Sequence, residues 1–183
     1  MTWTGLLGEP LPLDLINTVV SGAHGDTDLL HSPEALRAWI TAEDGRLSIP
    51  EGAVSLEAVH ALRGHVATAV QRVRRGERPP AAALDAFVSA QRAAPAYRVP
   101  GWTGSGITTT VHRDGSPTEN LLAELSEAAV LLLADPAVLR IRQCEGPLCR
   151  QLFLPATARR RWCSPALCGN RVRVARYYQS HRD

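Results

Sequence analysis

CEGPLCRQLFLPATARRRWCSPALCGNR, residues 144–171, holds all four cysteines of the chain as two C-x4-C pairs with thirteen residues between them. Two short cysteine turns at this spacing are the pattern of a four-thiolate zinc site, in which the metal takes its ligands in a closed tetrahedron. The segment needs such help to fold. From Cys144 onward the large apolar residues are chiefly Leu148, Leu152, Phe153, Leu154, Trp162, Leu167, Val172, Val174, Tyr177 and Tyr178, too small a core for about forty residues on their own. Zinc binding contributes roughly 10–16 kcal/mol of folding free energy to modules of this kind. The competing reading, two disulfides, belongs to exported chains. The N-terminal MTWTGLLGEPLPLDL lacks the basic start and sustained apolar run of a signal peptide. One structural Zn2+ held by Cys144, Cys149, Cys163 and Cys168 is therefore expected.

Working outward, the spacing predicts a knuckle over 144–149, a strand over 151–154 and a return strand over 159–163. Ser164-Pro165 then opens a last helix that delivers Cys168 from its first turns. Knuckle, hairpin, then helix is the order of a treble-clef finger. At 100° per residue the last helix carries Val174, Ala175, Tyr177, Tyr178 and His181 on one broad side and Arg173, Arg176 and Ser180 on the other. Arg171 and Arg182 fall on the apolar side.

WCSPALCGNR, preceded by a C-x4-C pair and followed by a basic helix, resembles the CGNR zinc finger, whose four naming letters fall here on Cys168, Gly169, Asn170 and Arg171. In that family the finger follows a helical domain called ABATE, described as a stress-induced transcription regulator. LDLINTV, residues 13–19, looks like the opening of that domain. The resemblance implies a bacterial DNA-binding regulator. It divides the chain into an ABATE-like helical domain over 1–139 and a CGNR-type finger over 140–183.

The net charge of +2 conceals an asymmetry. Residues 1–139 hold 10 Arg against 16 Asp and Glu, a net of −6, whereas residues 140–183 hold 10 Arg against Glu145 and Asp183, a net of +8. Four thiolates around one Zn2+ lower the latter by two. A concentrated positive patch favours a polyanion as partner. The other use for it is internal: arginines that neutralise the thiolates or dock on the acidic N-terminal part. Arg173 and Arg176, with Arg159, Arg160 and Arg161, are the candidates for phosphate or base-edge contacts. Arg171 would instead brace the fold against a thiolate or a carboxylate, and Asn170 would cap or bridge backbone groups, since such partners orient metal ligands.

Before the finger the chain is mainly helical, and 45% apolar residues suffice for a real core. A short helix is expected over 13–20, with Leu13, Ile16, Val19 and Val20 inward and Asp14 and Asn17 facing away. Residues 21–30 read as a polar loop in which His24, Asp26 and Asp28 serve turns in preference to a second metal. Ser32-Pro33 opens a helix that buries Leu36, Trp39 and Ile40 and ends at Gly45. Ser55 opens the longest one, with Val59, Leu62, Val66, Val70 and Val73 in phase; His60 and His65, five apart on it, cannot share an ion. After Pro79-Pro80 another helix over 81–93 should turn Leu84, Phe87 and Val88 inward. Residues 97–112, rich in β-branched side chains around a Gly-rich loop, predict a small β-hairpin. Ser116-Pro117-Thr118-Glu119 is a capping box for a helix burying Leu121, Leu122, Leu125, Ala128, Ala129 and Leu132. With only a short turn between this helix and Cys144, the finger should pack on the helical domain.

The longest apolar run, residues 128–134, is far short of a membrane span, so a cytoplasmic protein is expected. A four-cysteine zinc has no open position for catalysis, and no G-x-S-x-G, H-E-x-x-H or P-loop occurs; no enzyme is expected. Two functions compete. In the first, the finger contacts DNA while the N-terminal domain dimerises or senses a small molecule, the region of Asn17, His24 and Trp102 being a candidate pocket. In the second, the finger is a zinc-stabilised protein-interaction module without direct DNA binding. One finger makes a small interface, so a homodimer that doubles the footprint is expected.

Overall fold

The computed structural model describes residues 7–22, 25–48 and 50–180. His24, His181 and Arg182 lie outside the described residues, as do the side chains of Ala175, Arg176, Tyr178 and Ser180.

Three of the main helices start where a side chain provides for them; two others start after Pro10 and Pro80 without a side-chain cap. In α2 (Pro33–Ala42) the Ser32 hydroxyl accepts from Ala35 N–H at 3.1 Å, and in α3 (Leu56–Val73) Ser55 accepts from Ala58 N–H at 3.2 Å. These side-chain acceptors satisfy N–H groups that a helix start leaves open. The last helix of the body (Pro117–Ala134) carries the full capping box of Ser116 and Glu119. Preceding α2 are α1 (Leu11–Ile16) and a hairpin of β1 (Val19–Gly22) with β2 (Gly25–Asp28). Between α3 and the capping-box helix come α4 (Ala81–Ala93) and the antiparallel ribbon of β3 (Tyr97–Trp102) with β4 (Ile107–His112). The capping-box helix is α5. A 3-10 turn, Pro136–Arg140, then leads to β5 (Arg142–Gln143) and β6 (Leu152–Phe153), a single turn of π-helix (Pro165–Gly169) and α6 (Asn170–Ser180).

The core lies where α1, α3, α4 and α5 meet. Leu13, Leu15, Leu36, Trp39, Val59, Val66, Val70, Phe87, Leu121 and Leu125 are buried there, and Leu152 of β6 is buried with them. The finger therefore shares the core of the body. Its own apolar cluster is Phe153 among the cysteines and Trp162, which agrees with a module that depends on metal.

Four local expectations change. The first helix ends at Ile16, and Val19 and Val20 enter β1. Residues 21–22 and 25–28 belong to the β1 and β2 strands of a hairpin, pinned to α3 by a two-pronged ion pair of Arg63 with Asp28, Arg63 also donating to Thr18 at 2.8 Å. Asp14 and Asn17 are buried instead of facing away. On α4 the inward residues are Ala83 and Phe87, while Leu84 and Val88 are exposed: the i, i+4 pair that meets α5 combines a small residue with a large one.

Candidate metal centre and the finger around it

Because β5 and β6 pair antiparallel, Arg142 against Phe153 and Gln143 against Leu152, the chain between them must fold back on itself. That fold is the knuckle of Cys144 and Cys149. Leu148 takes a left-handed φ of 58° within it. Gly146 passes so close to the sulfurs that a Cβ there would lie 3.2 Å from the Cys168 Cβ and 3.4 Å from the Cys144 Sγ. The other pair comes from the start of the terminal helix. Ser164 caps it by accepting from Leu167 N–H, and the Gly169 N–H reaches back to the Ser164 carbonyl at 3.0 Å, the five-residue step of the π turn, which brings Cys168 beside Cys163.

The four Sγ atoms all lie within 4.8 Å of one another. Cys149 to Cys163 is 3.8 Å, Cys163 to Cys168 is 3.5 Å and Cys168 to Cys149 is 3.6 Å. A tetrahedron with Zn–S bonds of about 2.3 Å has S–S edges of about 3.8 Å. These separations fit zinc and are far too long for the S–S bond of about 2.05 Å in a disulfide; all four cysteines are free. The Gly146 and Cys163 N–H groups point at the Cys144 Sγ at 3.4 and 3.3 Å, stabilising a thiolate as ligand.

The thiols alone cannot all ionise. A hydrogen bond from Cys163 draws the Cys149 thiol down to about 5, whereas that same bond, followed by burial, drives the Cys163 thiol strongly up. Burial chiefly lifts Cys168 to about 11. A divalent cation supplies the charge that lets all four act as thiolates.

The finger is bound to the body through polar groups at its base. The Asn17 side chain at the C-terminal end of α1 donates to the Leu152 carbonyl at 2.8 Å and accepts from the Leu152 N–H at 2.9 Å, both inside the protein. Gln151 donates to the Val19 carbonyl at 3.0 Å. Glu9 accepts from Leu154 N–H at 2.8 Å and from Arg160 at 2.5 Å, and Arg150 pairs with Asp26 of β2. Sequence periodicity missed Asn17, Glu9 and Gly146, for it counts apolar positions.

The arginines divide by place. Arg160 packs 4.5 Å over the Phe153 ring and donates to the carbonyls of Trp162 and Cys163, so it braces the chain at a zinc ligand. Arg161 pairs with Glu145 at the surface. Arg140 and Arg142 donate to the carbonyls of Pro155 and Ala158. Those bonds, with Arg160 N–H to the Thr157 carbonyl at 3.1 Å, fix a turn over 155–160, and the strand expected over 159–163 does not form; among its residues only Arg161 accepts a backbone bond from the knuckle, from Glu145 N–H at 3.1 Å. Arg159, Arg171 and Arg173 are exposed; among the described residues they make no hydrogen bond or ion pair. The Asn170 side chain is exposed at the start of α6. The contacts to sulfur come from backbone N–H groups, not from Asn170 or Arg171.

Helices closed around one core, with a four-thiolate knuckle seated on them, define a zinc-finger protein whose finger is fixed to its body. Residues 9–136 match the model of the ABATE family, described as "putative stress-induced transcription regulator", and residues 140–181 match that of the CGNR zinc finger. The chain belongs to the ABATE family and carries a CGNR zinc finger that holds one zinc. No curated protein gives a significant sequence match.

Proposed function

We propose that this chain is a DNA-binding transcription regulator, residues 140–183 forming the reading head and residues 1–139 the body that positions it. The observation that carries the reading is the division of the arginines. Those facing the body are engaged in holding the finger, whereas Arg159 and Arg173 stand exposed without a partner among the described residues; Arg161 is exposed too, though paired with Glu145. Arg176 shares the outer phase of α6 with Arg173, one turn further on. Such a set suits phosphate oxygens along a duplex. Arg160 is occupied at the finger's base and is left out. The family's description as a regulator supports the same reading. For an effector, an open cleft of about 550 Å3 lies where Thr68 and Gln71 of α3, and Arg75 just beyond its end, face Gln143 and Arg150 of the finger. No helix among the described residues is long and apolar enough to cross a membrane, and a regulator of this kind would act in the cytoplasm.

The test is selection of genomic DNA fragments by the zinc-loaded protein at two salt concentrations. A shared sequence that survives the higher salt is expected. Replacing Arg159 and Arg173 by Ala should weaken binding and reduce the slope of log K against log salt by about 0.9 for each phosphate no longer neutralised, with zinc content and Tm unchanged. A protein-interaction module is the second reading, favoured by the exposure of Leu148, Leu167 and Tyr177 on the same finger. Absence of duplex binding under all conditions would give it precedence.

A further inference from the structure

The β3–β4 ribbon stands apart from the core. Every residue in both strands is exposed, including Trp102 at 68%, Ile107 at 72% and Val111 at 56%. A two-stranded ribbon without a covered face is marginal in water, and its outer edges offer unpaired backbone groups. The two edges differ. β3 carries Arg98 and Pro100, a charge and a missing N–H, both of which discourage pairing. β4 carries Ile107-Thr108-Thr109-Thr110-Val111, without charge, proline or glycine.

The ladder shows which β4 groups face outward. Thr103 N–H donates to the Gly106 carbonyl at 3.2 Å, so that pair is hydrogen-bonded. Hydrogen-bonded and open pairs alternate along an antiparallel ribbon. Trp102–Ile107, Pro100–Thr109 and Arg98–Val111 are therefore the open pairs, a pattern that also accommodates Pro100. On β4 the N–H and C=O groups of Ile107, Thr109 and Val111 point away from β3.

These residues form a self-complementary set. Laid antiparallel against its own copy about Thr109, the strand matches Ile107 with Val111, Thr108 with Thr110, and Thr109 with Thr109. Every outward N–H then meets an outward C=O, and β-branched side chains meet as cross-strand pairs. A slip of two residues either way sets Ile107 or Val111 against Thr109 and loses this match. We propose that β4 is a homodimer interface: two chains join edge to edge about a two-fold axis at Thr109, making one four-stranded sheet in the order β3-β4-β4-β3. A single self-matching patch is what a closed two-fold contact requires. The inference does not depend on the DNA reading.

The test uses the full-length, zinc-loaded chain. Sedimentation across a concentration series should give a dimer. Thr109→Pro removes an N–H that the ribbon itself does not use, and Thr109→Lys sets two like charges opposite each other; each should weaken the dimer by at least about tenfold, equivalent to about 1.4 kcal/mol, without changing zinc content. If the proline variant fails to fold, the lysine variant alone decides. Opposed Cα atoms of a hydrogen-bonded pair lie about 5.5 Å apart, within disulfide reach, so Thr109→Cys should give a covalent dimer linked at position 109 under mild oxidation. A monomer up to about 100 μM, far above the micromolar range of weak specific pairs, would overturn the proposal. So would a dimer that tolerates Thr109→Lys, or one that fails to cross-link at 109, whether it forms through another surface or β4 receives a different chain.

Discussion

Asn17→Ala tests whether the finger is held by the body or merely lies against it. Asn17 is 4% exposed and Leu152 1%, and the amide satisfies both the N–H and the C=O of Leu152. Truncation leaves both groups buried without partners. Each costs about 1–3 kcal/mol; partial relaxation at the edge of the finger puts the expected loss near 3 kcal/mol. For a domain of this size 1 kcal/mol corresponds to about 2–4 °C, so Tm should fall by about 6–12 °C in thermal unfolding followed by circular dichroism. Asn17→Asp sharpens the test. An ionised carboxylate still accepts from Leu152 N–H but faces the Leu152 carbonyl with no proton to donate. Burial against that carbonyl would raise its pKa above the unfolded value of about 3.9. The favourable protonated form is fully present below the unfolded pKa, and its contribution is lost as pH rises through the folded one. This variant should therefore be nearly as damaged as Asn17→Ala at neutral pH and regain stability on acidification relative to it. A Tm within about 2 °C of the parent for Asn17→Ala, less than 1 kcal/mol on this scale, would refute the reasoning and mean that the finger's seat on α1 contributes little.

Cys149→Ser should abolish stoichiometric zinc by metal analysis and cost the finger its fold, seen as loss of the near-ultraviolet signal of Trp162, while most of the helical signal from α1–α5 persists. Glu43 is 1% exposed, and burial followed by the Asp14 charge raises its carboxyl to about 7. Its contribution is thus full below the unfolded value near 4.5 and is lost as pH rises through 7. A shift of that size corresponds to about 3 kcal/mol. Glu43→Gln should raise Tm at pH 8 and leave it nearly unchanged at pH 5; equal effects at both would contradict the assignment. Glu9→Gln keeps an acceptor for Leu154 N–H but removes the Arg160 ion pair. It should lower stability by about 1–2 kcal/mol in urea titration, by analogy with other hydrogen bonds to charged groups, without strengthening DNA binding; a gain in DNA affinity would show that Arg160 is available to phosphate after all.

What was legible in the sequence is what local chemistry decides. Ser32, Ser55 and the Ser116–Glu119 box mark helix starts because a local side chain can give the first free N–H groups an acceptor, whatever the tertiary fold. The cysteine spacing declares the metal because four soft ligands leave few other uses. The β-branched residues around a Gly-rich loop over 97–112 show a hairpin, though not that both its faces would be open. The rest depends on partners distant in sequence. Asp14 is taken inside by Arg46 and by the Gly8 and Glu9 N–H groups, so a polar residue on a short helix became interior. Residues 19–28 contain too little apolar alternation to read as strands; Arg63, from α3, and the Ser21–Asp26 bond hold β1 and β2. The return strand expected at 159–163 keeps a single backbone bond, from Glu145 N–H to the Arg161 carbonyl; the next two carbonyls, of Trp162 and Cys163, accept from Arg160 instead.

The charge asymmetry takes its meaning from the same division. A basic tail on an acidic body invites the inference that the tail seeks an external polyanion, and equally that it seeks its own body. Both uses occur along one segment of chain, and geometry separates them. Arg150 and Arg160 reach carboxylates at Asp26 and Glu9, so part of the +8 is neutralised where the finger meets α1 and β2. Arg140 and Arg142 satisfy carbonyl oxygens and keep their charge. What stays exposed in the finger without a partner among the described residues is Arg159 in the turn before Trp162 and Arg171 and Arg173 on α6. The finger's docking thus fixes which arginines remain for a partner, and a shift of the knuckle on α1 would redistribute them. Asn17 therefore bears on the binding face as much as on stability: it sets the register between Leu152 and the body, and through the short β6 strand the placement of everything from Cys144 to α6.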